Sequence, residues 1–372
     1  MARAVSLLAA LRQLACLGLP GKTVLPEALD LLRQLVGFDM EVGIHLDAHC
    51  RLVDAHVPPH VALAHLREYA AHFYERSTAQ DHAVGWTTQQ VMASGLSVVQ
   101  GSRITPRAVL ERSELYGRVL HRYDMGWIVQ VPLRDGPRPL ACLVLTRPFA
   151  RRDYSVQELQ LLELAQPWLC HALAPVAGGT AKRESVCEEA SEAVESGLLV
   201  LDGAGRLVHS SDGALRLLHL AAGEPLSADS LTRAARGQVE ALWRRLARAV
   251  FAAAAGHGTQ LPAGTVRNAH GFFHWRAYAL EAHAPGMAAQ VALHVERRLP
   301  LAVHLFRAPR FLALSARERD VCLALVCGRG SAEIAGRLGI KPSSVIHYTR
   351  SLYRRLNVSK AKDLVGVLLR QD

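Results

Sequence analysis

Apolar residues recur along the chain at two spacings, and the spacings divide it into three parts. Val5, Leu8 and Leu11, with Leu7 and Leu14 alongside, fall on one helical stripe, so the start of the chain predicts an amphipathic helix rather than a secretion signal. A second helix is expected over about 24–35, then alternating strand-like segments at 40–46 and 52–56, with Pro58-Pro59 forcing a break. Helical spacing returns over 61–74 and 107–121. Segments 127–131 and 140–145 read as adjacent strands joined by Arg134-Asp135-Gly136-Pro137. Ser155, with Glu158 three residues on, has the form of a capping box opening a long helix whose stripe is Val156, Leu159, Leu162, Leu164 and Leu169.

The polar run 176–185 interrupts this pattern and reads as a linker, with a helix expected from 184 to 195. A second mixed part follows over 186–300. Strand 197–202 turns at Gly203-Ala204-Gly205 into a partner strand, a short helix is expected at 212–220 and a longer one at 231–255, and strands follow at 265–268, 272–280 and 290–296. Residues 301–313 form a second linker, in which Pro300 and Pro309 bracket a single helix.

From 314 onward the spacing is purely helical. Ser315 and Glu318 form another capping box, ahead of the stripe Val321, Leu323, Leu325 and Val326. Gly328 and Gly330 end that helix, Ser331 caps the next, and Gly339 supplies a turn. Pro342 is pre-set for the first position of a third helix. There Val345, Tyr348, Leu352 and Leu356 share one face and must be core. Ser359 caps a fourth helix with Leu364, Val365 and Leu368 as its stripe.

Charge sharpens this division. The net charge is +10, and residues 314–372 carry eleven Lys or Arg against five Asp or Glu, so a sixth of the chain holds most of the excess. Such a field suits the neutralisation of phosphates. Seven cysteines at 16, 50, 142, 170, 187, 322 and 327 make no CxxC and no paired framework, which argues against structural disulfides or zinc and for a reducing cytoplasm. No apolar run reaches the length of a membrane span.

The motifs LSARE at 314–318, EIAGRLGI at 333–340, SSVIHY at 343–348 and RRLNVSK at 354–360 together resemble the LuxR-type (NarL-like) helix-turn-helix domain. The resemblance implies that the third helix enters the major groove of double-stranded DNA. With Val345, Tyr348 and Leu352 inward, Ile346, His347 and Arg350 face out, Arg350 being suited to a guanine and His347 to a base edge or a phosphate. Ser331, Ser343, Ser344, Lys341, Arg354, Lys360 and Lys362 are the expected phosphate partners. The sequence departs from the family at Ile346, often Lys there, and at Lys341, usually Ser or Thr. Homodimerisation is expected through Leu364, Val365 and Leu368.

The run RPFARRDYSVQELQLLELAQPWL at 147–169 closes a segment, 1–175, that resembles a GAF-type sensor; the opening LLVLDGAGRLVHSS at 198–211, followed by helices and three strands, resembles a PAS fold. The fold class expected is thus multidomain α+β: two antiparallel-sheet domains, 1–175 and 186–300, then an all-α four-helix domain, 314–372. The function expected is a one-component transcriptional regulator, with a small-molecule effector as its signal and RNA polymerase as a further candidate partner. The alternative is an interaction protein that acts on RNA polymerase or another regulator and binds DNA weakly.

Other chemistry finds little support. Gly18–Thr23 lacks the first glycine and the preceding strand of a P-loop. No phosphoacceptor series is present in the first 120 residues, and no autoinducer-type Tyr-Pro-x-x-Trp run occurs. Seven histidines lie between His45 and His82, but His45, Asp47, His49 and Cys50 have no defined ligand spacing, so no metal and no cofactor is expected. Phe273 and Trp275 alternate onto one strand face with Phe272 opposite, a pattern of core packing. With no nucleophile, acid–base pair or cofactor loop, no enzymatic activity is expected.

Overall fold

The computed structural model describes residues 2–74, 86–174, 190–202, 206–227, 230, 263–280 and 290–370. The expected helix at 231–255, the linker 176–185, the Gly203-Ala204-Gly205 turn, Cys187 and His82 lie outside the described residues.

In chain order the helices Ala2–Ala15 (α1) and Gly21–Val36 (α2) precede the strands Met40–Leu46 (β1) and Leu52–His56 (β2). Helix Leu63–Tyr69 (α3) runs into a π turn at Ala70–Tyr74, followed by helix Thr88–Ala93 (α4) and the short strand Val99–Gln100 (β3). Helices Arg107–Leu110 (α5) and Glu114–Arg118 (α6) lead into strands Trp127–Asp135 (β4) and Arg138–Arg147 (β5) and the long helix Val156–Leu173 (α7). Strands Ala190–Asp202 (β6) and Leu207–Ser210 (β7), helix Ala214–Ala221 (α8) and strands Ala263–Asn268 (β8), Gly271–Leu280 (β9) and Gln290–Pro300 (β10) follow. Six helices close the chain: Leu301–His304 (α9), Pro309–Leu312 (α10), Ala316–Val326 (α11), Ser331–Leu338 (α12), Pro342–Leu356 (α13) and Ala361–Leu368 (α14).

Two compact units result. One gathers Met1–Gly37, Gln160–Glu192 and Leu299–Asp372; the other comprises Phe38–Leu159 and Ala193–Arg298. The second unit holds two antiparallel five-stranded sheets, ordered β2-β1-β5-β4-β3 and β7-β6-β10-β9-β8. Both are a hairpin, intervening helical chain and a three-strand meander, so the two follow one plan. In the second sheet Phe273 is buried and Trp275 packs on its core, as the alternation required. Glu195 there bridges two buried arginines, Arg216 and Arg297.

The first sheet and the helices over it enclose a cavity of about 190 Å³. Its walls come from β1, β4 and β5 on one side and from α3, the π turn and the segment after α6 on the other. Gly126 makes one corner possible: a Cβ there would stand 2.7 Å from Phe149 Cγ, so only glycine admits the ring. The Ser155–Glu158 capping box forms, and Glu158 also takes Arg147 Nη2 at 2.7 Å.

Several elements differ from the sequence pattern. The helix expected over 107–121 breaks, because Ser113 accepts the Tyr116 N–H at 3.1 Å and starts a fresh helix. Residues 190–195 are strand rather than helix, since β6 pairs beside β10. The single helix expected after Pro300 is split at Ala308, which is extended as a residue before proline prefers. On α7 the inward stripe is Leu159, Leu162, Ala165 and Leu169, whereas Val156 and Leu164 are each 60% exposed. The candidate metal cluster is used up locally: Asp47 accepts the N–H groups of His49 and Arg51 and closes the β1–β2 turn, and no metal-holding group of side chains occurs among the described residues. Among those residues, no helix is long and apolar enough to cross a membrane.

Candidate nucleic-acid interface

The interface is built on α11. Ser315 and Glu318 cap it reciprocally, at 2.9 and 3.3 Å. Burial opposes ionisation of Glu318, but hydrogen bonds from Ser315 and Ser351 and the charge of Arg355 outweigh it and hold the carboxyl below its usual range. Ser351 and Arg355 belong to α13, so this one carboxylate ties the scaffold helix to the helix that carries the site. The buried positions of α11 are Val321 and Cys322, with Glu318 and Arg319 beside them; Leu323, Leu325 and Val326, expected inside, are half-buried.

Arg319 explains that shift. It is fully buried, and its N–H groups reach the carbonyls of Leu312 and Leu314, the Ser6 carbonyl and hydroxyl, and Gln13 Oε1 at 2.8 Å. Gln13 in turn donates to Ala316 O at 2.7 Å and to Asp320. Ser6 and Gln13 lie on α1, so the first helix of the chain is a neighbour of α11.

The turn between α12 and α13 is set by Gly339 at φ 61°, a left-handed conformation that favours glycine. Lys341 is the N-cap of α13 without a side-chain cap bond, and Pro342 is its first residue, both as expected. Two expected caps are absent. Gly330 occupies the N-cap of α12, which puts Ser331 inside the first turn, and Lys360 rather than Ser359 precedes α14.

Val345 and Leu352 are buried, with Tyr348 and Leu356 half-buried beside them, which turns the opposite side of α13 outward. Ser343, His347, Arg350 and Arg354 are exposed at spacings of four, three and four, a single stripe along the helix. Ile346, 44% exposed, flanks it, and Ser344 is half-buried at the helix start. Lys341, Lys360 and Lys362 are exposed near the two ends of the helix. None of Lys341, Arg350, Arg354, Lys360 and Lys362 forms an ion pair with another described residue, whereas Arg355 is committed to Glu318 and Ala313 O. Of the expected dimer positions, Leu364 and Leu368 are buried within the domain itself, so Val365, half-buried, is the one with side-chain surface to offer.

Neither the α1 contact nor the lining of the cavity on the first sheet follows from the sequence pattern. A lone Gln inside the apolar stripe of α1 was the available sign of the former; for the latter it was the density of aromatic and Met residues between 40 and 149.

Comparison with known proteins places a family on this region. Residues 312–368 match the family described as bacterial regulatory proteins, luxR family, so the C-terminal helices form a LuxR-type helix-turn-helix domain. The chain is 33% identical over 88 residues to proteins named "Probable transcriptional regulatory protein NarL" from two strains of Mycobacterium tuberculosis, CDC 1551 / Oshkosh and ATCC 25618 / H37Rv. That match takes in 24% of this chain and 37% of the relatives' length. Among solved structures, the sensor region of a sensor histidine kinase aligns over 46% of this chain and 63% of its own at 21% identity and a TM-score of 0.19. The phage VqmA–DPO complex aligns over 46% and 81% at 16% identity and a TM-score of 0.20. A Vibrio cholerae VqmA dimer aligns over 51% and 87% at 14% identity and a TM-score of 0.16.

Proposed function

We propose that this protein is a cytoplasmic transcriptional regulator that reads double-stranded DNA through α13 and responds to a signal received by its two sheets. The observation that carries this reading is the exposed stripe Ser343, His347, Arg350 and Arg354, held outward by the buried Val345 and Leu352 and free of competing ion pairs among the described residues. Arg350 is assigned to a base edge and His347 to a base or phosphate. Ser331, Ser343, Ser344, Lys341, Arg354, Lys360 and Lys362 are assigned to the phosphate backbone. A homodimer meeting over α14 near Val365 would present two such helices to half-sites about 34 Å apart. The domain division proposed runs 1–175, 186–300 and 314–372. The GAF-like and PAS-like reading of the first two is supported by the hairpin, helices and meander that each contains. A signal acts by shifting the population of the DNA-competent dimer.

The test is fluorescence anisotropy on a selected operator and on random duplex, across salt. Affinity should fall steeply with added salt, and Arg350→Ala should erase the preference for the operator. Ile346 favours a second reading, since an exposed apolar side chain flanking the stripe also suits a protein partner such as RNA polymerase. Shallow salt dependence together with retained polymerase binding would select that alternative.

A further inference from the structure

We infer that the cavity on the first sheet is a binding site for an uncharged aromatic compound of one or two fused rings that carries a hydrogen-bond donor and acceptor. The inference rests on reading that sheet as the signal-receiving part, and it names the chemistry of the signal.

Size sets the first limit. At about 190 Å³ the cavity is somewhat larger than the ~150 Å³ space that holds benzene in an apolar protein core. It is too small for a haem or a dinucleotide. The walls set the second. Tyr69, Phe73, Tyr74, Tyr123, Trp127 and Phe149 line it, a concentration of rings that favours stacked and edge-on contacts with another ring over an acyl chain.

Charge sets the third. No Asp, Glu or Lys is among the described lining residues. The fixed cation at the wall, Arg107, is paired with Glu111 at 2.9 Å and lies 4.4 Å from the centre of the Phe149 ring. Its charge and its occupation of that ring face work against an ammonium ligand, which an aromatic cage would otherwise attract. A phosphorylated ligand would need cations not already engaged.

Polar groups set the orientation. The Tyr123 hydroxyl accepts the Ala62 N–H at 3.2 Å and lies 2.6 Å from His65 Nδ1. In the tautomer whose Nδ1 accepts the Tyr123 O–H, the imidazole carries its N–H at Nε2 and offers it as a donor. The Tyr69 hydroxyl and the Gln130 amide line the cavity and make no hydrogen bond to another described residue. Burial pushes the Tyr69 hydroxyl up to about 12, so it remains a donor at neutral pH. A ring bearing a carbonyl and an N–H satisfies these groups, and a plain hydrocarbon leaves them unpaired.

The experiment titrates the full-length protein by calorimetry with quinolin-2(1H)-one, naphthalene, choline and decanoate. Quinolin-2(1H)-one should bind at one site per chain, with naphthalene about tenfold weaker or worse. Tyr69→Phe and Gln130→Leu should each weaken quinolinone roughly fivefold while leaving naphthalene unchanged, and Val119→Trp should abolish both by filling the space. Should Val119→Trp fail to fold, the two anchor variants decide. Binding of choline or decanoate in place of the aromatics overturns the ligand class, as does quinolinone binding indifferent to all three variants. Operator affinity measured with quinolinone saturating separates this from the regulatory reading: a bound ring that leaves DNA affinity unchanged keeps the site and refutes its role as the signal.

Discussion

At the scale of single residues, four side chains carry measurable consequences. Glu158 caps α7 and accepts Arg147, whose guanidinium is buried and lies 4.0 Å from the centre of the Tyr154 ring. Burial alone would raise the carboxyl, yet the hydrogen bonds from Arg147 and Ser155 bring it down to about 2. A carboxyl depressed in the folded state stabilises fully above its unfolded value near 4.5 and loses that contribution as pH falls towards about 2. The contribution has a ceiling of about 3 kcal/mol. Glu158→Gln should therefore lower the urea midpoint at pH 7 and flatten its decline between pH 5 and 2, measured by circular dichroism. Arg350 is tested on DNA: Arg350→Ala should cost about 1–3 kcal/mol on the operator alone. Lys360→Ala or Lys362→Ala should instead weaken operator and random duplex equally and lower the salt slope by about one. Competition binding across 50–300 mM salt distinguishes the two patterns. The capping boxes at Ser155 and Ser315 were legible because cap and partner sit three residues apart, so the geometry is local. Ser331 and Ser359 were misread because a helix can start one residue away when Gly330 or Lys360 takes the extended position.

At the scale of elements, α1 is the case where pattern and packing part. Its apolar spacing suggested a stripe through Val5, Leu8 and Leu11, whereas the buried face is Leu7, Ala10, Leu11 and Leu14, with Gln13 inside and Val5 65% exposed. The rotation follows from Arg319. A buried guanidinium needs acceptors, and Ser6 and Gln13 supply them from some three hundred residues earlier in the chain. No periodicity within α1 encodes a partner so remote. The strand pairs at 40–56 and 127–147 could be read, because alternation and a turn between neighbours are short-range signals. Gln13→Ala removes one acceptor and one donor at once, and should destabilise the unit by about 1–3 kcal/mol. Arg319→Ala should cost more, and the double variant less than the sum of the two by at least about 0.5 kcal/mol, since the groups share one network. Additivity in chemical denaturation would mean that the two side chains do not act together.

At the scale of the whole molecule, the chain order hides how the parts are assembled. Both sheets follow one strand order, a repeat that shared no visible motif because it is written in pairing rather than in residue identity. The match to the LuxR family begins at 312, yet the compact unit that contains it also takes in residues 1–37 and 160–192. Segment 301–313 read as a linker from its prolines, but Val303, Leu305, Phe306 and Phe311 are buried within that unit. Helix α1 packs on α10 and α11 as well as on α2, so cutting the chain at 312 removes the Ser6 and Gln13 partners of Arg319, though not the Leu312 and Leu314 carbonyls, together with the cover over its neighbours. Burying a leucine contributes about 1.5–3 kcal/mol, so Leu7, Leu11 and Leu14 alone represent a sum comparable with the stability of a small domain. The excised segment 312–372 should therefore melt well below the transition of the intact unit, with a broadened profile in calorimetry. Adding a peptide of residues 2–37 in trans should raise that transition, whereas the same peptide with Gln13→Ala should raise it less. A segment as stable alone as in the full chain would show that α1 rests on the DNA-binding helices without supporting them.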